Sequence, residues 1–146
     1  MENQDFTTTI WVEQTPAEAY KTILNVRAWW SGLHGESFEG SSEKIGDEFS
    51  FFAGGGAHYT KQKLVELVPN KKVVWIVTEA NLSFADKTDE WNNTKISFAI
   101  SEDSGKTKIV FTHVGLVPKF ECYDACAPAW TQYIQEQLKA AISKTN

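Results

Sequence analysis

The stretch CYDACAPAWTQYIQEQLKAAISK, from Cys122 to Lys144, constrains the fold more than any other part of the chain. Tyr123, Ala127, Trp130, Ile134, Leu138 and Ala141 with Ile142 recur three or four residues apart, which is the spacing of one stripe along an α-helix. Gln132, Gln135, Glu136 and Lys139 fall on the opposite, wet face. At about 1.5 Å per residue such a helix is a rod of roughly 30 Å, and it needs an apolar partner surface of the same length. Pro128 lacks a backbone donor, so a kink or a fresh helix start is expected near Ala127. Trp130, Ile134 and Leu138, with Tyr133 beside them, then form the part of the stripe that faces the interior.

Nearly everything before that helix reads as strand. Phe6 to Val12 alternates, with Phe6, Thr8, Ile10 and Val12 on one face, as an edge or covering strand would. The period then changes. Thr15-Pro16-Ala17-Glu18 predicts a capped helix running to Leu24, and Asn25 is expected to cap a shorter one through Trp29-Trp30, ended by Gly32. The paired tryptophans are expected to plug the space between these helices and a sheet. Strands follow at Ser37–Ser41, Glu48–Phe52, His58–Val68 and Val73–Val77, with a turn at Pro69-Asn70-Lys71 and a flexible tip at Gly54 to Gly56. Residues 79–93 read as a long loop that lays Leu82, Phe84 and Trp91 over the interior as a gate. In the last hairpin, Ile96, Phe98 and Ile100 face Ile109, Phe111 and His113 across a turn at Glu102-Asp103-Ser104-Gly105.

At 146 residues the chain fits a single domain, 1–146, that buries roughly two thirds of its unfolded surface. Nine Phe, six Trp and four Tyr supply the apolar payload. The formal charge of −5 with Arg27 as the one arginine argues against nucleic acid and against acidic ligands. No run approaches the ~20 apolar residues of a membrane span, and the first residues lack a secretory pattern, so a cytoplasmic protein is expected. Cys122 and Cys126, four apart, suit reduced thiols better than a disulfide. Cys122, Cys126 and His113 lack an evident fourth ligand, so no metal and no cofactor are expected.

The order of strand, two short helices, about six antiparallel strands and a long helix is an α+β plan in which a curved sheet of about six or seven strands wraps the terminal helix. It resembles the helix-grip fold of the START-like superfamily, the SRPBCC group that includes Bet v 1-like proteins and polyketide cyclases. Val12 to Glu18, Trp29-Trp30, Gly46-Asp47-Glu48-Phe49, Leu64 to Pro69, Thr112 to Leu116, and Trp130 followed by Leu138 are similar to its branch named after the activator of the heat-shock-protein-90 ATPase. The resemblance implies a cavity between sheet and helix that receives a small apolar molecule. The co-chaperone activity of that branch resides in much larger proteins.

Parity supplies the candidate site. With Lys61 and Lys63 in water, His58, Thr60, Gln62, Leu64 and Glu66 turn to the concave side, unless a bulge near Gly56 or Val65 re-aims them. A polar stripe facing an apolar helix is how small-molecule sites are commonly lined. The expected lining is Trp75, Phe98, Phe111, His113, Trp130 and Ile134, with His58, Thr60 and Gln62 as polar groups and Leu82, Phe84 and Trp91 as gate. His113 reads either as a pocket base or hydrogen-bond donor, or as a half-buried histidine bonded to backbone. No hydrolase-like carboxylate pair, phosphate loop or nucleophile elbow is present. The sequence therefore reads as a binder of a small hydrophobic or amphipathic molecule and not as an enzyme. A cyclase- or dehydratase-like activity using a cavity histidine, or a stress-related module whose acidic outer sheet contacts a protein partner, are the alternatives.

Overall fold

Alternation sets the first element. β1, Phe6–Val12, buries Ile10 and Val12 and turns Trp11 outward, where Lys108 lies 5.4 Å from its ring centre. The computed structural model describes residues 5–30, 35–53, 58–82, 91–116 and 123–144, with backbone alone at 82 and 123–126. Gly32, the tip at Gly54 to Gly56, Phe84 and Cys122 lie outside the described residues, as do the side chains of Leu82, Tyr123 and Cys126.

α1, Pro16–Leu24, starts on the expected capping box: Glu18 N–H donates to Thr15 Oγ1 at 3.2 Å, and Thr15 N–H donates to Glu18 Oε1 at 2.9 Å. α2, Val26–Trp29, follows without the side-chain cap expected of Asn25. The backbone of Asn25 does that work, donating to Thr22 O at 3.0 Å and accepting from Ala28 N–H at 2.9 Å. Trp29 and Trp30 are the plug. Trp30 stacks on Phe51 at 4.0 Å between centroids and on Trp75 at 5.9 Å, and lies 5.0 Å from Trp130. Each fully buried ring contributes roughly 1.5–3 kcal/mol by leaving water, so this stack is a main source of stability.

The strands form one antiparallel sheet in the order β1-β7-β6-β5-β4-β3-β2. β2 is Ser37–Gly40, β3 Glu48–Ala53, β4 His58–Val68, β5 Lys72–Leu82, β6 Lys95–Asp103 and β7 Lys106–Val114. Ser104 and Gly105, with φ of 56° and 82°, make the two-residue turn between β6 and β7, the left-handed pair whose twist matches flanking strands. Two register shifts in the β4–β5 pair correct the sequence reading. Beside Leu64/Glu66 the extra residue is Val65, so Glu66 faces water instead of the interior. Beside Lys61/Gln62 the extra residue is Thr78 on β5, and inward parity passes from Val73, Trp75 and Val77 to Ala80. β5 therefore extends to Leu82 where a loop was expected. The outer face is mixed in charge and not acidic, with Lys61–Glu48 at 3.1 Å and Lys72–Glu66 at 3.7 Å.

The terminal helix runs as α3, Tyr123–Gln132, a π-helical segment, Tyr133–Leu138, and α4, Lys139–Ser143. It passes through Pro128, so the fresh start expected near Ala127 is absent. Trp130, Ile134, Leu138 and Ile142 are all buried and all four apart. A repeat of four drifts around a 3.6-residue helix, and the wider π turn keeps these side chains in one line. Gln135, expected on the wet face, instead reaches the exposed edge of β1, donating to Thr8 Oγ1 at 2.7 Å and to Thr9 O at 2.9 Å.

Candidate functional site

The concave side of the sheet presents mostly apolar rings to the helix, with a few polar groups among them. β7 brings Phe111 and His113 inward two residues apart, and β6 sets Phe98 opposite Phe111. β4 brings in Thr60 and Gln62, both fully buried, with His58 half-buried at its start. β5 supplies Trp75, and the helix supplies Trp130 and Ile134, all buried. Trp75 meets Phe98 at 5.2 Å and Phe111 meets Trp130 at 4.6 Å, so the expected lining residues are brought together. Trp91, expected over the interior, packs into it. It is buried, stacked on Trp130 at 5.9 Å and edge-on to His58 at 5.0 Å and His113 at 4.5 Å.

His113 is held by both ring nitrogens. The Trp130 indole N–H can only donate, and it points at Nδ1 from 3.1 Å, so Nδ1 carries the lone pair. The proton then sits on Nε2, which donates to Thr94 Oγ1 at 2.8 Å, and the Thr94 hydroxyl in turn donates to Trp91 O at 2.6 Å. This chain orients a neutral imidazole. Burial, and then the nearby His58, push its pKa from 6.5 to about 3. The ring is fully buried, not half-buried, and its partners are the side chains of Trp130 and Thr94 where backbone was expected. Both nitrogens are engaged, which leaves no ring lone pair for a metal or a substrate proton.

Two further side-chain pairs involve inward-facing residues. The Tyr133 hydroxyl donates to Glu36 Oε2, and burial together with this bond holds the phenol well above its usual range. Gln62 donates its Nε2 to Thr60 Oγ1. Its Oε1 and the Trp75 indole N–H are buried and have no partner among the described residues. Thr94, Glu36 and Tyr133 were not among the expected polar groups. Thr94 follows Asn92 and Asn93 in a stretch that reads as loop, and only its side-chain bond to His113 of β7 gives it a role. An open groove of about 740 Å³ lies elsewhere, lined by Glu18, Lys21, Asn25, Glu43 and Ala141, and contains none of the expected site residues. Among the described residues no helix is long and apolar enough to cross a membrane.

A family model described as "Activator of Hsp90 ATPase homolog 1-like protein" matches residues 14–143. The chain belongs to this family. No curated protein matches the chain. Solved structures with the same fold include an Aha1 dimer from Colwellia psychrerythraea, 21% identical over 97% of this chain and 98% of that one, with a TM-score of 0.74. An HSP90 activator from Plasmodium falciparum is 16% identical over 94% of each chain, with a TM-score of 0.60. A protein from Mesorhizobium loti is 16% identical over 96% and 98%, with a TM-score of 0.70. At these identities the likeness establishes the helix-grip fold, and membership in the activator-homologue family rests on the family match.

Proposed function

We propose that this member of the activator-homologue family binds a small amphipathic molecule between the concave side of its sheet and the terminal helix. The observation that carries the reading is Gln62. An amide fully buried among aromatic rings, with its carbonyl unanswered by any described group, costs about 1–3 kcal/mol unless something supplies a donor. His58, Thr60 and Gln62 orient the polar end, while Trp75, Phe98, Phe111, Trp130 and Ile134 receive the apolar body. The engaged, neutral His113 supports binding over proton-transfer catalysis. Native mass spectrometry of the purified protein tests the proposal directly. A retained small molecule supports it. An unliganded mass, with no shift of the thermal midpoint by any amphipathic probe, removes it.

A second reading draws on the family name and on the Plasmodium falciparum relative: a chaperone-associated module. Adding the protein to an Hsp90 ATPase assay separates the two. Stimulation supports the second reading, and unchanged turnover counts against it.

A further inference from the structure

Resting on the ligand-binding reading, we infer that Gln62, Thr60 and Trp75 form a subsite for an uncharged hydroxyl group on an otherwise apolar ligand. Gln62 pairs in register with Val77 and Leu64 with Trp75, so Gln62 and Trp75 are diagonal neighbours on adjacent strands. Both turn to the concave side and both are fully buried. Diagonal neighbours lie about 7–8 Å apart at the backbone, within reach of one atom bridging two long side chains.

The hydrogen-bond inventory sets the chemistry. Trp75 Nε1–H offers one donor and Gln62 Oε1 one acceptor, neither answered among the described residues. Thr60 Oγ1 accepts from Gln62 Nε2, which holds the amide with Oε1 as its unanswered end. A hydroxyl accepts from Trp75 and donates to Gln62 at once. An ether oxygen accepts but leaves Gln62 unanswered. A carboxylate sets its charge against the Gln62 carbonyl oxygen, and an ammonium meets the indole N–H head on. No lysine, arginine, aspartate or glutamate is buried among the described residues, so nothing there offsets the desolvation of an ionic head. Water has the same donor and acceptor pattern as a hydroxyl, and it is the species a ligand hydroxyl displaces.

A set of probes sharing one apolar body tests this: octanol, heptyl methyl ether, octanoate and octylammonium, titrated against intrinsic tryptophan fluorescence. Octanol is expected to bind about tenfold or more tighter than each of the others. In Gln62→Leu, which keeps the volume and removes the acceptor, octanol and the ether are expected to bind alike. Equal binding of octanol and ether to the natural chain, or tighter binding of either ion, overturns the hydroxyl subsite while leaving the ligand reading in place. A preference for octanol that persists in Gln62→Leu overturns its assignment to Gln62. Should that variant not fold, the four-probe comparison on the natural chain still decides. Failure of every probe to bind overturns the subsite together with the reading it rests on.

Discussion

The indole of Trp130 donates to Nδ1 of His113 at 3.1 Å across the space between the terminal helix and β7, and so ties the helix to the sheet through a neutral imidazole. The folded state resists protonating that ring, with a pKa of about 3 against 6.5 when exposed. Below pH 6.5 the unfolded chain therefore binds a proton that the folded chain does not. Stability from this group is complete above the unfolded value and falls as pH drops toward the folded one. Between about pH 7 and about pH 5 the loss is on the order of 2 kcal/mol. Urea unfolding at both pH values is expected to show it, and His113→Phe is expected to flatten the slope. Parallel slopes for the two proteins contradict the assignment.

Thr94 is the other anchor of that imidazole. Thr94→Val keeps the shape and leaves Nε2–H with nothing to donate to, and a destabilisation of about 1–3 kcal/mol is expected. The same hydroxyl is exposed to a second perturbation. Gly115 has φ of 103°, and a Cβ there would come within 2.8 Å of Thr94 Cγ2. Gly115→Ala is expected to cost about 1–3 kcal/mol through backbone strain and displacement of Thr94. A double-mutant cycle between Gly115→Ala and Thr94→Val checks whether the two act on one network, since independent sites would give additive losses.

Much of this interior is legible in the sequence. Ile96, Phe98, Ile100, Ile109, Phe111 and His113 alternate without interruption, and each faces inward as that alternation requires. Thr15 and Glu18 carry their helix start in four residues. Legibility stops where one residue is inserted. Thr78 and Val65 each occupy a position with no partner across the ladder, and beyond them parity inverts, which hid the last part of β5 and turned Glu66 outward. Trp91 reads as a gate because its sequence neighbours are polar, yet Trp130 and two histidines enclose it. The donors and acceptors around Gln62 are of the same kind: strand parity points them inward, and only register shows which of them meet.

Pro128 gives a stabilising prediction. It is exposed within α3, at its sixth residue, past the first turn where a missing N–H has no consequence. Pro128→Ala restores that donor and removes the ring from the preceding carbonyl, so a gain of about 1–3 kcal/mol is expected. The midpoint of urea unfolding should rise with an unchanged slope. A lower midpoint would show that the ring is needed where it stands.

Gln135 is where the π-helical segment and the sheet edge depend on each other. β1 lies at one end of the strand order, so its outer backbone groups have no neighbouring strand. An unprotected edge is a template for pairing with another chain. The Gln135 amide supplies donors to Thr9 O and Thr8 Oγ1, and the wider turn of Tyr133–Leu138 brings that amide over the strand while Ile134 and Leu138 stay in the core. Gln135→Ala removes both bonds without altering core volume. A loss of about 1–2 kcal/mol is expected, with faster association on incubation near the unfolding midpoint, followed by light scattering. Gln135→Glu separates the two roles: it keeps the size but opposes the Thr9 carbonyl with charge, so it should destabilise at neutral pH and recover as the carboxyl protonates below about pH 4. Unchanged stability and association in Gln135→Ala would mean that water caps the edge equally well.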